Sequence, residues 1–238
     1  TQRVAAASGR GISVANCPGK NSLAVAELAW GLILGCDRRI PDQVADLRAG
    51  VWNKKEYSKA PGLAGRTLGI VGLGRIGEAI ADRGNAFGMR VFAWSRSITD
   101  ARAESAGCHA CENLINLARM CDVISVNVAA NDDTRHLISP EFLAAMKPGA
   151  ILVNTSRGFV IREDDLTAWL AGRPEAQAIL DEDLADAVAV GQLVPRAAGV
   201  LAGCRSADEV FAQLGGEGEQ GGDAGGAATG VDWPAPPD

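Results

Sequence analysis

The sequence predicts a doubly wound α/β fold built on a parallel sheet, and three observations carry that prediction. From Leu63 onward, apolar runs of strand length alternate with longer helix-compatible runs, the pattern of successive β-α-β units. Crossovers between parallel strands are right-handed almost without exception, so such units wind helices onto both faces of one sheet. The first apolar run, Leu68-Gly69-Ile70-Val71, leads directly into Gly72-Leu73-Gly74-Arg75-Ile76-Gly77, a G-x-G-x-x-G turn that opens a helix.

In that context each glycine has a separate task. Gly72 allows the tight turn, Gly74 lets the backbone approach a pyrophosphate, and Gly77 lets the helix pack closely on the strand. The first N–H groups of the helix then face the phosphates, and the helix dipole favours negative charge there. Residues 72–77 read as the phosphate cradle of a dinucleotide site; a glycine-rich loop without a ligand is the alternative.

Taken in order, residues 1–11 are a short alanine-rich lead-in. Ile12-Ser13-Val14-Ala15 reads as a strand, ended by Asn16-Cys17-Pro18-Gly19. Asn21 or Ser22 caps a helix reaching about Arg39, with Ala24, Leu28, Leu32 and Ile33 on one side. Pro41 starts a second helix over residues 42–48, which Gly50 ends, and the polar, basic residues 53–59 read as a solvated loop. Strands follow at 67–71, 90–94, 122–128 and 150–154, with helices at 75–87, 100–106, 112–119, 140–146 and 163–170. Cys108-His109-Ala110-Cys111 reads as a short strand between two helices, because a structural zinc site needs a second pair of ligands and none is visible. Cys121 packs at a strand's start.

Composition bounds the function. The chain has 238 residues, 47% of them hydrophobic, and a net charge of -6, so nothing overall suggests a nucleic-acid binder. The longest apolar candidate, residues 23–36, is too short to span a membrane, and Glu27 interrupts it. Six cysteines without a secretory signal read as reduced thiols in a cytoplasmic protein. Charge shifts along the chain: from Pro174 onward there are 12 acidic and 2 basic residues, against 17 and 21 before it. Glycine crowds residues 215–230. Three segments are therefore expected: 1–60, 61–185 as the dinucleotide-binding domain, and 186–238 as a divergent acidic tail, in part disordered.

VANCPGKNSLAVAELAWGLIL (residues 14–34), GRTLGIVGLGRIGEAIA (65–81) and MKPGAILVNTSRG (146–158) together resemble D-isomer-specific 2-hydroxyacid dehydrogenases. DRRIPDQVADLRAGVWNKKEYSKA (37–60) resembles the D-3-phosphoglycerate dehydrogenase branch. The resemblance implies a Rossmann-type NAD(P)-binding domain inserted into a discontinuous substrate domain, of which residues 1–60 are a remnant. The helix beginning near Ser22 would be the hinge, and a homodimer is implied if that helix is intact. Relatives have a further half-domain before Ile12.

Carried over residue by residue, Gly72, Gly74 and Gly77 match the fingerprint, and Arg75-Ile76 the residues under the pyrophosphate. Thr155-Ser156-Arg157 match the active-site turn, in which the arginine grips the substrate carboxylate; a guanidinium fork suits bidentate carboxylate binding. Ala178-Ile179-Leu180-Asp181 looks like a family strand whose aspartate contacts the nicotinamide carboxamide. Ser95 stands where an acidic residue usually binds the ribose hydroxyls, and removing that carboxylate removes its repulsion of a 2′-phosphate. Arg96 beside it either attracts such a phosphate or points to solvent; the balance favours a site that accepts NADP as well as NAD.

The family also needs a histidine in a PHxGA-like turn as proton donor and acceptor, a task suited to its pKa. This chain's two histidines, His109 and His136, both precede the arginine turn, and neither lies in such a motif. Both read as solvent-facing or capping residues. Asp186 falls where the family's histidine-orienting glutamate would stand, but its surroundings do not match. A truncated or frame-disturbed product would account for the change after residue 173. Two function classes follow. The first is an oxidoreductase moving hydride between a nicotinamide dinucleotide and a small D-2-hydroxy acid, foremost 3-phosphoglycerate of serine biosynthesis, otherwise glyoxylate or hydroxypyruvate. The second is a non-catalytic NAD(H)-binding module, like family members that act as NADH-responsive corepressors. No metal and no membrane or nucleic-acid partner is expected.

Overall fold

In the computed structural model, which describes residues 6–13, 19–173 and 175–180, six strands form one parallel sheet. They are β1 (Thr67–Val71), β2 (Arg90–Trp94), β3 (His109–Ala110), β4 (Val123–Val126), β5 (Ile151–Asn154) and β6 (Gln177–Leu180). Their order, β3-β2-β1-β4-β5-β6, runs outward from β1 in both directions. The winding therefore reverses between β3 and β4, which places a ligand crevice at the carboxyl ends of β1 and β4.

Helices α1 (Ser22–Arg38), α2 (Ile40–Arg48) and α3 (Lys54–Tyr57) precede the sheet. The helices α4 (Arg75–Ala86), α5 (Asp100–Ser105), α6 (Leu114–Met120), α7 (Pro140–Ala145) and α8 (Glu163–Ala171) alternate with its strands. Because side chains alternate along a strand, each strand feeds two cores. Leu68, Ile70, Val91, Ala93, Ile151 and Val153 face α1 and α4. Val71, Ile124, Val126, Leu152 and Ala178 face α6, α7 and α8. Both layers are thus mainly apolar, as a sheet covered on both faces requires.

The amino ends of the strands are held by a polar network. Asp122 accepts bonds from Thr67 N (2.8 Å), Thr67 Oγ1 (2.6 Å) and Lys147 Nζ (2.8 Å), joining β1 to the loops before β4 and β5. Arg66 donates from Nη1 to the buried Asp37 carboxylate at 2.8 Å, tying α1 to the sheet. Burial alone would raise the Asp122 pKa, but the Lys147 ammonium and the Thr67 donors outweigh it and hold the carboxyl at about 2.

Several local expectations change. Ile12 and Ser13 lie in no strand, and residues 14–15 are outside the described residues. α1 buries Ala26, Ala29, Trp30 and Ile33, whereas Leu28 is exposed. The burial face is set by Trp30, which stacks on Phe87 at 4.7 Å and donates from Nε1 to Ile80 O at 3.3 Å. Residues 53–59 include the one-turn helix α3, because Tyr57 is buried and bonds Asp46 through its hydroxyl at 2.5 Å. β4 is shorter than the apolar run suggested, while the short strand at His109-Ala110 is present between two helices. Among the described residues, no helix is long and apolar enough to cross a membrane.

Candidate dinucleotide and active site

β1 ends at Val71, and Gly72 turns the chain with φ of 103°, a left-handed value that favours glycine. A Cβ on Gly72 would lie 2.8 Å from Asn127 O. One on Gly77 would lie 2.4 Å from Gly72 O and 3.1 Å from Ile70 Cγ2, so α4 can approach β1 this closely only without a side chain. Around Gly74 the situation is opposite: a Cβ would meet nothing within 4 Å, and the residue is exposed. The turn is packed from below at two glycines and open above the third. That is a cradle suited to a pyrophosphate at the start of a 12-residue helix.

Of the neighbouring residues, Ile76 is half-buried, while the exposed Arg75 reaches toward Gly19, where a Cβ would come 2.5 Å from Arg75 Nη1. Ser95 is half-buried just beyond β2, whose end is fixed by Gly72 N donating to Trp94 O at 2.8 Å. Arg96 is exposed and forms an ion pair with Asp133.

At the end of β5, two strands from β1, the Thr155-Ser156-Arg157 turn is braced from within. Asn154, 2% exposed, accepts from Ser156 N (3.1 Å) and Ser156 Oγ (2.6 Å) on Oδ1, and donates from Nδ2 to Arg157 O (3.0 Å). Thr155 and Ser156 are buried, whereas Arg157 is exposed and donates from Nη1 to Ser156 O at 2.7 Å. Thr155 Oγ1 stands 3.5 Å from Asn127 Oδ1, linking this turn to the end of β4. The carboxyl edge thus brings together Gly72, Gly74, Gly77, Thr155, Ser156 and Arg157. Asp181 and Asp186 lie outside the described residues.

Sequence reasoning missed Asn127 and Asn154. The signal was present: each is an amide closing a run of buried apolar residues, where an uncompensated polar group would be costly.

Of the two histidines, His109 stands apart from this edge, whereas His136 borders the segment that follows Arg157. His109 is exposed on β3, four strands from β5 and so roughly 19 Å away by strand spacing alone. His136 is exposed at a left-handed corner (φ 54°) and donates its N–H to Phe159 O at 3.0 Å. Cys108 and Cys111 are buried free thiols that donate to Ala106 O and Asn113 O. Burial, aided by Asp37 beside one of them, pushes the Cys36 and Cys121 thiols up to about 12, which keeps them protonated and unreactive. Among the described residues, no three His, Cys, Asp or Glu side chains converge as metal ligands.

Strand order, the winding reversal and the glycine turn define a Rossmann-type dinucleotide-binding domain. The chain belongs to the D-isomer specific 2-hydroxyacid dehydrogenase family: residues 30–185 match the model of that family's NAD binding domain. It is 41% identical over 163 residues to D-3-phosphoglycerate dehydrogenase of Methanocaldococcus jannaschii, covering 68% of this chain and 31% of that protein. It is also 41% identical over 177 residues to glyoxylate reductase of Thermococcus litoralis, covering 70% and 53%. In structure it is similar to the apo form of Rhodotorula graminis D-mandelate dehydrogenase, with a TM-score of 0.68 and 35% identity over 75% of this chain and 54% of that one. The chain spans about a third to a half of the length of the curated relatives it matches.

Proposed function

We propose that this chain carries the coenzyme half of a D-2-hydroxyacid dehydrogenase of the 3-phosphoglycerate type. The observation that supports this reading is the shared carboxyl edge. The open Gly74, flanked by the packed Gly72 and Gly77, lies two strands from the buried turn that presents Arg157. Residues 72–77 would hold a pyrophosphate, with Arg75 and Ile76 beside it. Thr155, Ser156 and Asp181 would bound the nicotinamide side, and the Arg157 fork would bind the substrate carboxylate and orient its 2-carbon. A bound nicotinamide supplies or accepts the hydride. The absence of a carboxylate at Ser95 and the presence of Arg96 favour a site open to both NAD and NADP. A homodimer through α1 fits the exposure of Leu23 and Leu28, and the buried free cysteines fit a reducing cytoplasm.

A second reading has its own observation. Reduction of a 2-oxo acid needs a proton for the forming alkoxide, and neither exposed histidine is matched to the family's acid. General acid–base catalysis contributes about 10²–10⁴-fold, so its loss leaves trace turnover. On this ground the chain alone is proposed to bind coenzyme with little catalysis, as a nucleotide-responsive module does. Absorbance of the reduced nicotinamide, followed with glyoxylate, hydroxypyruvate and 3-phosphoglycerate, separates the readings, with Arg157→Ala as the control. Turnover of about 1 s⁻¹ or faster that Arg157→Ala removes would establish a full catalyst. Trace turnover with intact coenzyme binding supports the module.

A further inference from the structure

We propose that Asp133 sets coenzyme selectivity by competing with a ribose 2′-phosphate for Arg96. The inference rests on the reading of residues 72–77 as a dinucleotide cradle. β2 and β4 are the two strands that flank β1. Arg96 stands two residues beyond the end of β2, and Asp133 lies in the loop that follows β4. Their ion pair therefore reaches from one flank of the glycine turn to the other, across the mouth of the crevice.

The backbone at both ends of this strap is fixed. Asp133 belongs to the 3₁₀ turn Asp132–Thr134, which is capped in both directions. Asn131 Oδ1 accepts from Thr134 N at 3.1 Å, and Thr134 Oγ1 accepts from Asn131 N at 3.0 Å. Thr134 is itself buried and donates to Ala129 O at 2.8 Å. On the other side, the turn after β2 is held by Ile98 N donating to Ser95 O at 3.2 Å.

The chemistry follows from position. A carboxylate at the end of the second strand ordinarily binds the ribose diol, and an arginine there accommodates a 2′-phosphate. Here Ser95 is neutral, and the carboxylate that meets Arg96 comes from the opposite flank. With an unphosphorylated ribose the strap stays closed. With a 2′-phosphate, Arg96 must leave Asp133, and the cost of that exchange falls on NADP(H) alone. Both side chains are about two-thirds exposed (63% and 68%), so the pair biases selection without locking it.

The test measures NADH and NADPH affinity by fluorescence titration of the whole 238-residue chain. Asp133→Asn should raise the NADPH/NADH affinity ratio about three- to tenfold, with NADH affinity changed less than about twofold. Arg96→Ala should lower the ratio, and in that background Asp133→Asn should no longer move it by more than about twofold. NADH binding with a ratio unchanged by Asp133→Asn would overturn this inference and leave the cradle standing. So would an equal effect with and without Arg96. A wild-type chain that binds neither nucleotide would overturn the cradle and this inference together.

Discussion

A Cβ placed on Gly77 would stand 2.4 Å from the carbonyl oxygen of Gly72. This approach sets how close the start of α4 lies to β1, and with it the position of the turn between them; Gly84 allows a second one further along the helix, where a Cβ would lie 2.7 Å from Leu68 Cδ2. The Gly72 carbonyl is backbone, with no flexible end to give way, so the helix itself would have to move.

Gly77→Ala should therefore destabilise the fold by about 1–3 kcal/mol, the usual cost of overpacking. Gly74→Ala should be close to neutral for folding, because nothing lies within 4 Å of the added methyl. Thermal melts of the two variants read the difference directly. Equal melting temperatures would mean that the helix start is free to shift.

Asp122 gives the fold an acid-sensitive contact. Its carboxyl is held at about 2, below the usual 3.8, by Lys147 and Thr67 against the opposing effect of burial. A lowered folded-state pKa contributes stability that is fully present above the unfolded value and lost as pH falls through the folded one. The loss should thus fall between about pH 4 and pH 2. Lys147→Met should shrink that loss and lower stability at pH 6. Urea unfolding of both proteins at pH 6 and pH 3 checks it; identical pH dependence would remove Lys147 from the account.

Asn154 holds the arginine turn. Asn154→Ala leaves the buried Ser156 N–H and hydroxyl without their acceptor, at a cost of about 1–3 kcal/mol. Asn154→Asp keeps that acceptor but buries a carboxylate with one oxygen turned toward Arg157 O, so it should destabilise at pH 7 and recover as pH falls and the carboxyl gains a proton to donate. Asn154→Ala should show no such recovery relative to wild type; parallel pH dependence of the two variants' melts would remove the bond to Arg157 O as a brace of the turn.

The central strands β1, β4 and β5 were legible because each is a buried, mainly apolar run with glycine or asparagine close to its end. The glycine turn was legible because its three glycines carry different steric demands in a fixed order. α1 was legible in extent and not in orientation. Its apolar residues surround much of the helix, and Trp30, stacked on Phe87 57 positions further along the chain, decides which side turns inward. α3 was hidden for a related reason: bonds from Tyr57 to Asp46 and from Arg39 to Glu56 fold a polar, basic stretch back as a helical turn, and residue types alone do not specify them. At the site, Arg157 could be read from its motif, but its bracing by Asn154 is a local hydrogen-bond geometry that residue types alone do not specify. The Arg96–Asp133 pair joins residues 37 positions apart and becomes visible only once β2 and β4 are seen to flank β1.

If the space above Gly74 receives a dinucleotide, calorimetric titration of NADH should separate wild type from Gly74→Val. A Cβ at this position has nothing within 4 Å, so the valine side chain starts in the open space above the turn. Wild type should bind NADH, and Gly74→Val should lose at least about 100-fold in affinity, or roughly 2.7 kcal/mol. Equal affinity of the two proteins for NADH would contradict it.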